Sequence, residues 1–257
     1  MCTLIVLYRF LKEYPVVALF NRYAPKGSWE YPPRVVKGGR WVVYCPIDGV
    51  SGGTWVGFNS AGLFSAVTDQ HSGGVVKSRR SRGKLILDVL LGFDDSFDAV
   101  EHLKSEVTRG YKKGNFVILD PTRGYHVLYD EKVYVWEVKP GIHVFTNLMK
   151  HPQLKLTSET LKVYRRVEVR RARALQLTKN LTSTMTVDEI IERLKTIASD
   201  HGGEPGEKSI CYHGDNEWYM SSSTIILLSK DPSKSKILYC RGNPCTSKYI
   251  NYSHILT

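Results

Sequence analysis

A cysteine stands directly behind the initiator methionine, at the head of the apolar run Cys2-Thr3-Leu4-Ile5-Val6. Loss of Met1 would give that residue a free α-amine beside its thiol. Such an amine titrates near ~7.7–8.0 and a free thiol near ~8.5, so one residue could serve as nucleophile and base without a separate histidine. The small cysteine side chain permits removal of Met1. The competing reading is a buried apolar residue in a first strand, the ordinary place for an unpaired cysteine. The other cysteines, Cys45, Cys211, Cys240 and Cys245, bring the total to five at irregular spacing. An odd count without C-x-x-C pairs predicts neither a disulfide framework nor a standard zinc motif. Across the turn Gly242-Asn243-Pro244, Cys240 and Cys245 could bridge locally or remain two buried thiols.

Two basic runs, Lys77 to Lys84 and Tyr164 to Lys179, contribute to a net charge of +11. On a helix, Arg166, Arg170 and Arg173 would share a face. Neither run is interleaved with aromatics as nucleic-acid motifs are, so both read as solvated charged surface and nucleic acid is not an expected partner. The surplus does favour anionic ligands or a membrane surface. His143 and His213 fall on strand-like segments and read as structural residues. A P-loop, a Rossmann glycine motif and a zincin helix are missing, which argues against nucleotide-dependent and zinc-protease chemistry.

The elements that must position Cys2 are largely β. With 257 residues the chain can bury a substantial core, and its fifteen tyrosines and five tryptophans argue against disorder. "CTLIVLYRF" and "YPVVALFNR" read as an antiparallel hairpin. A Pro- and Gly-rich loop from Pro25 to Gly39 then precedes the strand "GRWVVYCPID". Two further strands flank Asn59-Ser60-Ala61-Gly62, where glycine suits a positive φ. A helical block follows to Gly110, with Ser96 as an N-cap. Four strands come next, "NFVILDP", "YHVLYD", "KVYVWEV" and "GIHVFTN". Helices are expected over Ser158 to Leu177 and Val187 to Ser199, the second opened by a capping box of Thr186 and Glu189. "SICYH", "SSSTIILLS" and "KILYCRG" close the chain as strands. This order predicts an α+β fold of two antiparallel sheets with helices layered outside, as one domain over residues 1–257. No apolar stretch approaches the ~20 residues of a membrane span, and Arg9 interrupts the short N-terminal run. A cytoplasmic location is expected.

Taken together, "MCT", the Asn21-Arg22 pair closing the second strand, "GGTWVGFNSAGL", "PGIHVFTN" and "SSSTIILL" resemble the NRDE family, also called transport and Golgi organisation protein 2. The likeness runs over nearly the whole chain. That family is similar to the cysteine branch of the N-terminal nucleophile hydrolases, with choloylglycine hydrolases and penicillin V acylases. The resemblance implies a four-layer αββα sandwich. It also implies that Cys2 is the nucleophile, Arg22 the arginine beside it and Asn147 an oxyanion donor, with Asp69 standing where the hydrolases carry an asparagine. The implied activity is that of an amidohydrolase or acyl transferase on a non-peptide amide or thioester, with no cofactor required. Family links to haem and acyl-CoA handling imply the alternative of a non-catalytic carrier for a hydrophobic anionic ligand. Three departures stand out. Tyr23-Ala24 replace the family's Asp-Glu, Asp69 replaces asparagine, and Met220-Ser221-Ser222-Ser223 lacks the arginine of a Thr-Arg-Ser-Ser run.

Overall fold

β1 (Thr3–Tyr8) is buried at every position, which explains why its sequence is continuously apolar instead of alternating. One face meets a second sheet and the other meets helices. The computed structural model describes residues 2–73, 80–214 and 217–256; Met1 and the Lys77–Arg79 part of the first basic run lie outside them. β1 pairs antiparallel with β2 (Val16–Pro25) on one side and with β10 (Gly141–Thr146) on the other. β2 in turn pairs with β11 (Trp218–Leu228), and β12 (Lys236–Arg241) and β13 (Ile250–Asn251) complete a six-stranded sheet.

The second sheet is a seven-stranded meander. It runs through β3 (Glu30–Val36), β4 (Val43–Asp48), β5 (Val56–Asn59), β6 (Phe64–Asp69), β7 (Gly114–Leu119), β8 (Gly124–Asp130) and β9 (Lys132–Glu137). The β5–β6 turn places Gly62 at φ +94°, the left-handed geometry that glycine adopts at no steric cost.

Three apolar layers hold the stack together. Leu4, Val6 and Phe20 of the first sheet face Phe58, Phe64 and Leu119 of the second. Ile5 and Leu19 pack outward against Ala174 of α3 (Ser158–Thr178) and Ile190 of α4 (Val187–Ala198). Beyond the second sheet, Val43 and Ile118 pack on Leu85 of α1 (Arg82–Gly92) and Leu103 of α2 (Ser96–Val107). The result is the expected four-layer αββα sandwich. No helix among the described residues is long and apolar enough to cross a membrane.

Four expectations are corrected. The Pro25–Gly39 loop contains β3, an edge strand in which Pro32 and Pro33 fall at a break in the pairing between Tyr31 and Arg34; an edge is where proline is tolerated, since no ladder bond is lost. Asp95, not Ser96, caps α2, accepting from the amides of Phe97 and Asp98 at 2.9 and 3.0 Å. Ser96 is the first helical residue, and its amide donates to Asp120. "SICYH" forms no strand, because its polar groups are taken elsewhere. The Ile210 carbonyl accepts from the side chains of Asn21 and Tyr23, and the Cys211 amide donates to Asp200. Arg170, expected on a solvated face, is fully buried, with its guanidinium 5.8 Å over the Tyr23 ring. By contrast, Arg166 and Arg173 pair at the surface with Glu207 and Asp200, and the Thr186–Glu189 capping box is present.

Candidate active site

Thr3 sits opposite Thr146 on β10 and Asn21 on β2. One residue outward along these antiparallel strands, Cys2 therefore lies between Asn147 and Arg22. The register alone brings together three residues separated by as much as 145 positions in the chain. Cys2 is nearly buried, yet it lines a cleft of about 860 Å³ with Arg22, Trp55, Asp69, His71 and Arg82. The two sheets are tied together beside it. Thr68 of β6 donates its hydroxyl to the Thr146 carbonyl at 3.0 Å, and the Asn115 side-chain amide of β7 donates to the same carbonyl at 3.3 Å.

Arg22 lies over the ring of Trp55, its guanidinium carbon 4.0 Å from the centroid. Ion pairs to Glu30 and Asp48 hold it there, and Ser221 Oγ is 3.4 Å away. Two carboxylates thus balance one guanidinium, which restrains the pull that Arg22 exerts on the thiol. Glu30 is fixed in turn by the Tyr239 hydroxyl, which donates to it at 2.6 Å.

Asp69 is paired with Arg82 and accepts from His71 Nε2 at 3.2 Å. Burial works against its charge, but Arg82 and His71 outweigh burial and hold the carboxyl well below the usual carboxylate range. Asn147 is buried behind this pair. Its Nδ2 lies 3.4 Å from both Asp69 Oδ2 and His71 Nε2, and its carbonyl accepts from the His71 amide at 2.6 Å. Asn147 Oδ1 has no hydrogen-bond partner among the described residues.

Burial raises the Cys2 thiol above its ordinary value and the charge of Asp69 adds to the rise, while a backbone hydrogen bond at Tyr23 and the charge of Arg22 oppose it. Removal of Met1 would set an ammonium beside the sulfur, a further force toward thiolate. Tyr23 is structural. Its hydroxyl donates to the Ile210 carbonyl at 2.5 Å and its ring lies 5.2 Å from that of Tyr212.

Cys2, Arg22, Asp69 and Asn147 therefore converge. Glu30, Asp48, His71 and Arg82 were missed as site residues. Trp55 lies within the quoted "GGTWVG" and Arg82 within the first basic run, but neither position marks its partner. All five cysteines are free, and the thiol neighbouring Cys245 is that of Cys211, at 3.5 Å.

The family model of transport and Golgi organisation 2 matches residues 1–238. The chain belongs to that family. Among solved structures, a penicillin V acylase from Agrobacterium tumefaciens is similar at 15% identity, over 100% of this chain and 88% of that one, with a TM-score of 0.57. A Caenorhabditis elegans orthologue of N-acylethanolamine-hydrolyzing acid amidase matches at 14% identity and a TM-score of 0.55, over 88% of this chain and 92% of its own. A mutant conjugated bile acid hydrolase from Clostridium perfringens matches at 13% and 0.53, over 98% and 96%. These are N-terminal nucleophile hydrolase folds, and this member of the transport and Golgi organisation 2 family shares that fold. No curated protein matches by sequence.

Proposed function

We propose that the chain, once Met1 is removed, is a cysteine N-terminal nucleophile amidohydrolase or acyl transferase acting on a non-peptide amide or thioester. The observation that carries this reading is the placement of Cys2 at the wall of a substrate-sized cleft, with Arg22 and Asn147 on its two neighbouring strands. The Cys2 amine takes the thiol proton and the sulfur attacks the acyl carbon. The amine then returns the proton to the departing amine or thiol, and water or an acceptor amine releases the acyl group. Asn147 Nδ2 supplies the oxyanion donor, an interaction of about 2.7–4 kcal/mol in comparable sites. Asp69, ionised, has no proton to donate; with His71 it orients the Asn147 amide. Arg22, held over Trp55 by Glu30 and Asp48, holds the substrate carbonyl or carboxylate. The chemistry needs no cofactor.

The cleft lining also includes Lys112, which favours a substrate with an anionic end; Arg80 and Lys113, also in the lining, pair with Glu106 and with Asp130 and Glu131. The same lining supports a second reading, carriage of a haem- or acyl-CoA-like anion without turnover. Five unpaired thiols suit a reducing compartment such as the cytoplasm.

Wild-type and Cys2→Ser protein, incubated with a panel of N-acyl amines, N-acyl amino acids and acyl thioesters, separate the readings. The enzyme reading expects turnover and a mass-trapped acyl adduct on Cys2, both lost in the variant. Ligand binding that survives in Cys2→Ser without turnover in the wild type would favour carriage.

A further inference from the structure

Away from the Cys2 cleft, two histidines and two cysteines point ligand atoms at one spot. His201 Nε2 and His213 Nε2 are 3.0 Å apart. Cys245 Sγ lies 3.1 Å from His213 Nε2 and 3.5 Å from Cys211 Sγ, which is 3.9 Å from His213 Nε2. All four atoms lie within 4.8 Å of one another. A zinc ion with bonds of ~2.3 Å to sulfur and ~2.0–2.1 Å to nitrogen has tetrahedral edges of roughly 3.3–3.8 Å, so the four atoms already occupy approximately the corners it requires. Hydrogen bonding accounts for the convergence poorly. His213 Nε2 carries at most one proton, yet it faces three of these atoms.

The loops that carry the ligands are built to hold them. The Cys211 amide donates to the Asp200 carbonyl at 2.9 Å. Ser209 Oγ donates to the His201 carbonyl at 3.0 Å, drawing both ends of the 201–211 loop together. On the opposing turn, Asn243 Nδ2 donates to the Tyr212 carbonyl at 2.7 Å and lies 3.6 Å from Cys211 Sγ. An amide directed at a ligand sulfur is the outer-shell support that metal sites use.

We propose that His201, Cys211, His213 and Cys245 form a structural zinc site. Two thiols release their protons to solvent on binding, and the resulting Cys₂His₂ centre is electrically neutral. The ion would fasten the 201–213 loop to the turn after β12. That loop lies against β2, where Asn21 and Tyr23 both donate to the Ile210 carbonyl. The centre therefore braces the strand segment that carries Arg22, and takes no part in the chemistry at Cys2.

The test uses untagged full-length protein purified under reducing conditions without chelator, with zinc measured by atomic emission and Co²⁺ exchanged in as a spectroscopic probe. The expected result is equimolar zinc, and intense visible cobalt bands with thiolate charge transfer characteristic of a tetrahedral site. His213→Ala and Cys245→Ser, both at exposed positions, should lose the metal while keeping the wild-type far-ultraviolet circular dichroism. The cobalt spectrum of the wild type needs no variant to fold. Protein that takes up neither metal after reduction, a weakly coloured six-coordinate cobalt complex, or a Cys211–Cys245 disulfide in the reduced preparation would each overturn the proposal.

Discussion

Arg82, the first residue of α1, pairs its guanidinium with the carboxylate of Asp69 at the end of β6 and donates to the Lys113 carbonyl as well. An outer helix is thereby joined to the inner sheet next to Cys2. The pairing keeps Asp69 an anion, and this decides what Asp69 can do at the site.

Arg82→Met should strand that carboxylate with His71 as its remaining cationic-type partner. Loss of a charge-assisted bond of this kind costs about 1.5–3 kcal/mol. Urea denaturation should show this loss, and Arg82→Met with Asp69→Asn together should recover part of it. A double variant as unstable as the sum of its singles would contradict the coupling.

Asp69→Asn alone should lower the Cys2 thiol, because the Asp69 charge contributes to raising it. Alkylation of Cys2 at neutral pH should become faster, with the rate-versus-pH midpoint displaced downward. Arg22→Ala should displace it upward, and by less, since Glu30 and Asp48 already balance the guanidinium. A larger shift for Arg22→Ala than for Asp69→Asn would reverse this ranking.

Glu30 is buried between Arg22 and the Tyr239 hydroxyl. Truncation to alanine removes one anchor of a buried cation and should cost about 3–5 kcal/mol. Glu30→Gln keeps an acceptor for Tyr239 and should cost less. Equal melting temperatures for the two variants would show that the acceptor kept for Tyr239 contributes nothing and that loss of the charge carries the whole cost.

His126 donates to Asn115 Oδ1 at 3.1 Å inside the sandwich, and burial, with His143 adding to it, pushes its pKa down to about 3. Its ordinary value is near ~6.5. Between these values the unfolded chain binds the proton and the folded chain does not. The contribution is therefore complete above the ordinary value and is lost as pH falls toward the native one, by up to about 1.4 kcal/mol per pH unit. His126→Gln should flatten the acid limb of stability against pH; an unchanged limb would assign acid sensitivity to other groups.

The strands around Cys2 were legible because burial on both faces leaves an unbroken apolar run, and the turn at Gly62 because its φ demands glycine. β3 was not, since Pro32 and Pro33 look like loop residues until one sees that they fall on an edge. Charge partners were hidden for a different reason. Arg22 meets Glu30 and Asp48, and Asp69 meets Arg82, through sheet register and helix placement that local pattern does not encode. His213 was read as structural because its cluster partners, His201, Cys211 and Cys245, stand at no standard metal spacing; only the folded loops bring them within reach. Tyr23 shows the converse. Its departure from the family's aspartate was visible in the sequence, but its bond to Ile210 was not.

The most direct test of Cys2 as nucleophile is the intact mass of protein made in a cytoplasm, followed by peptide mapping after a limiting dose of iodoacetamide. The account predicts that Met1 is absent and that Cys2 is alkylated ahead of the other four cysteines, exposed Cys245 included. Retention of Met1, or a Cys2 that reacts no faster than buried Cys45, would contradict it.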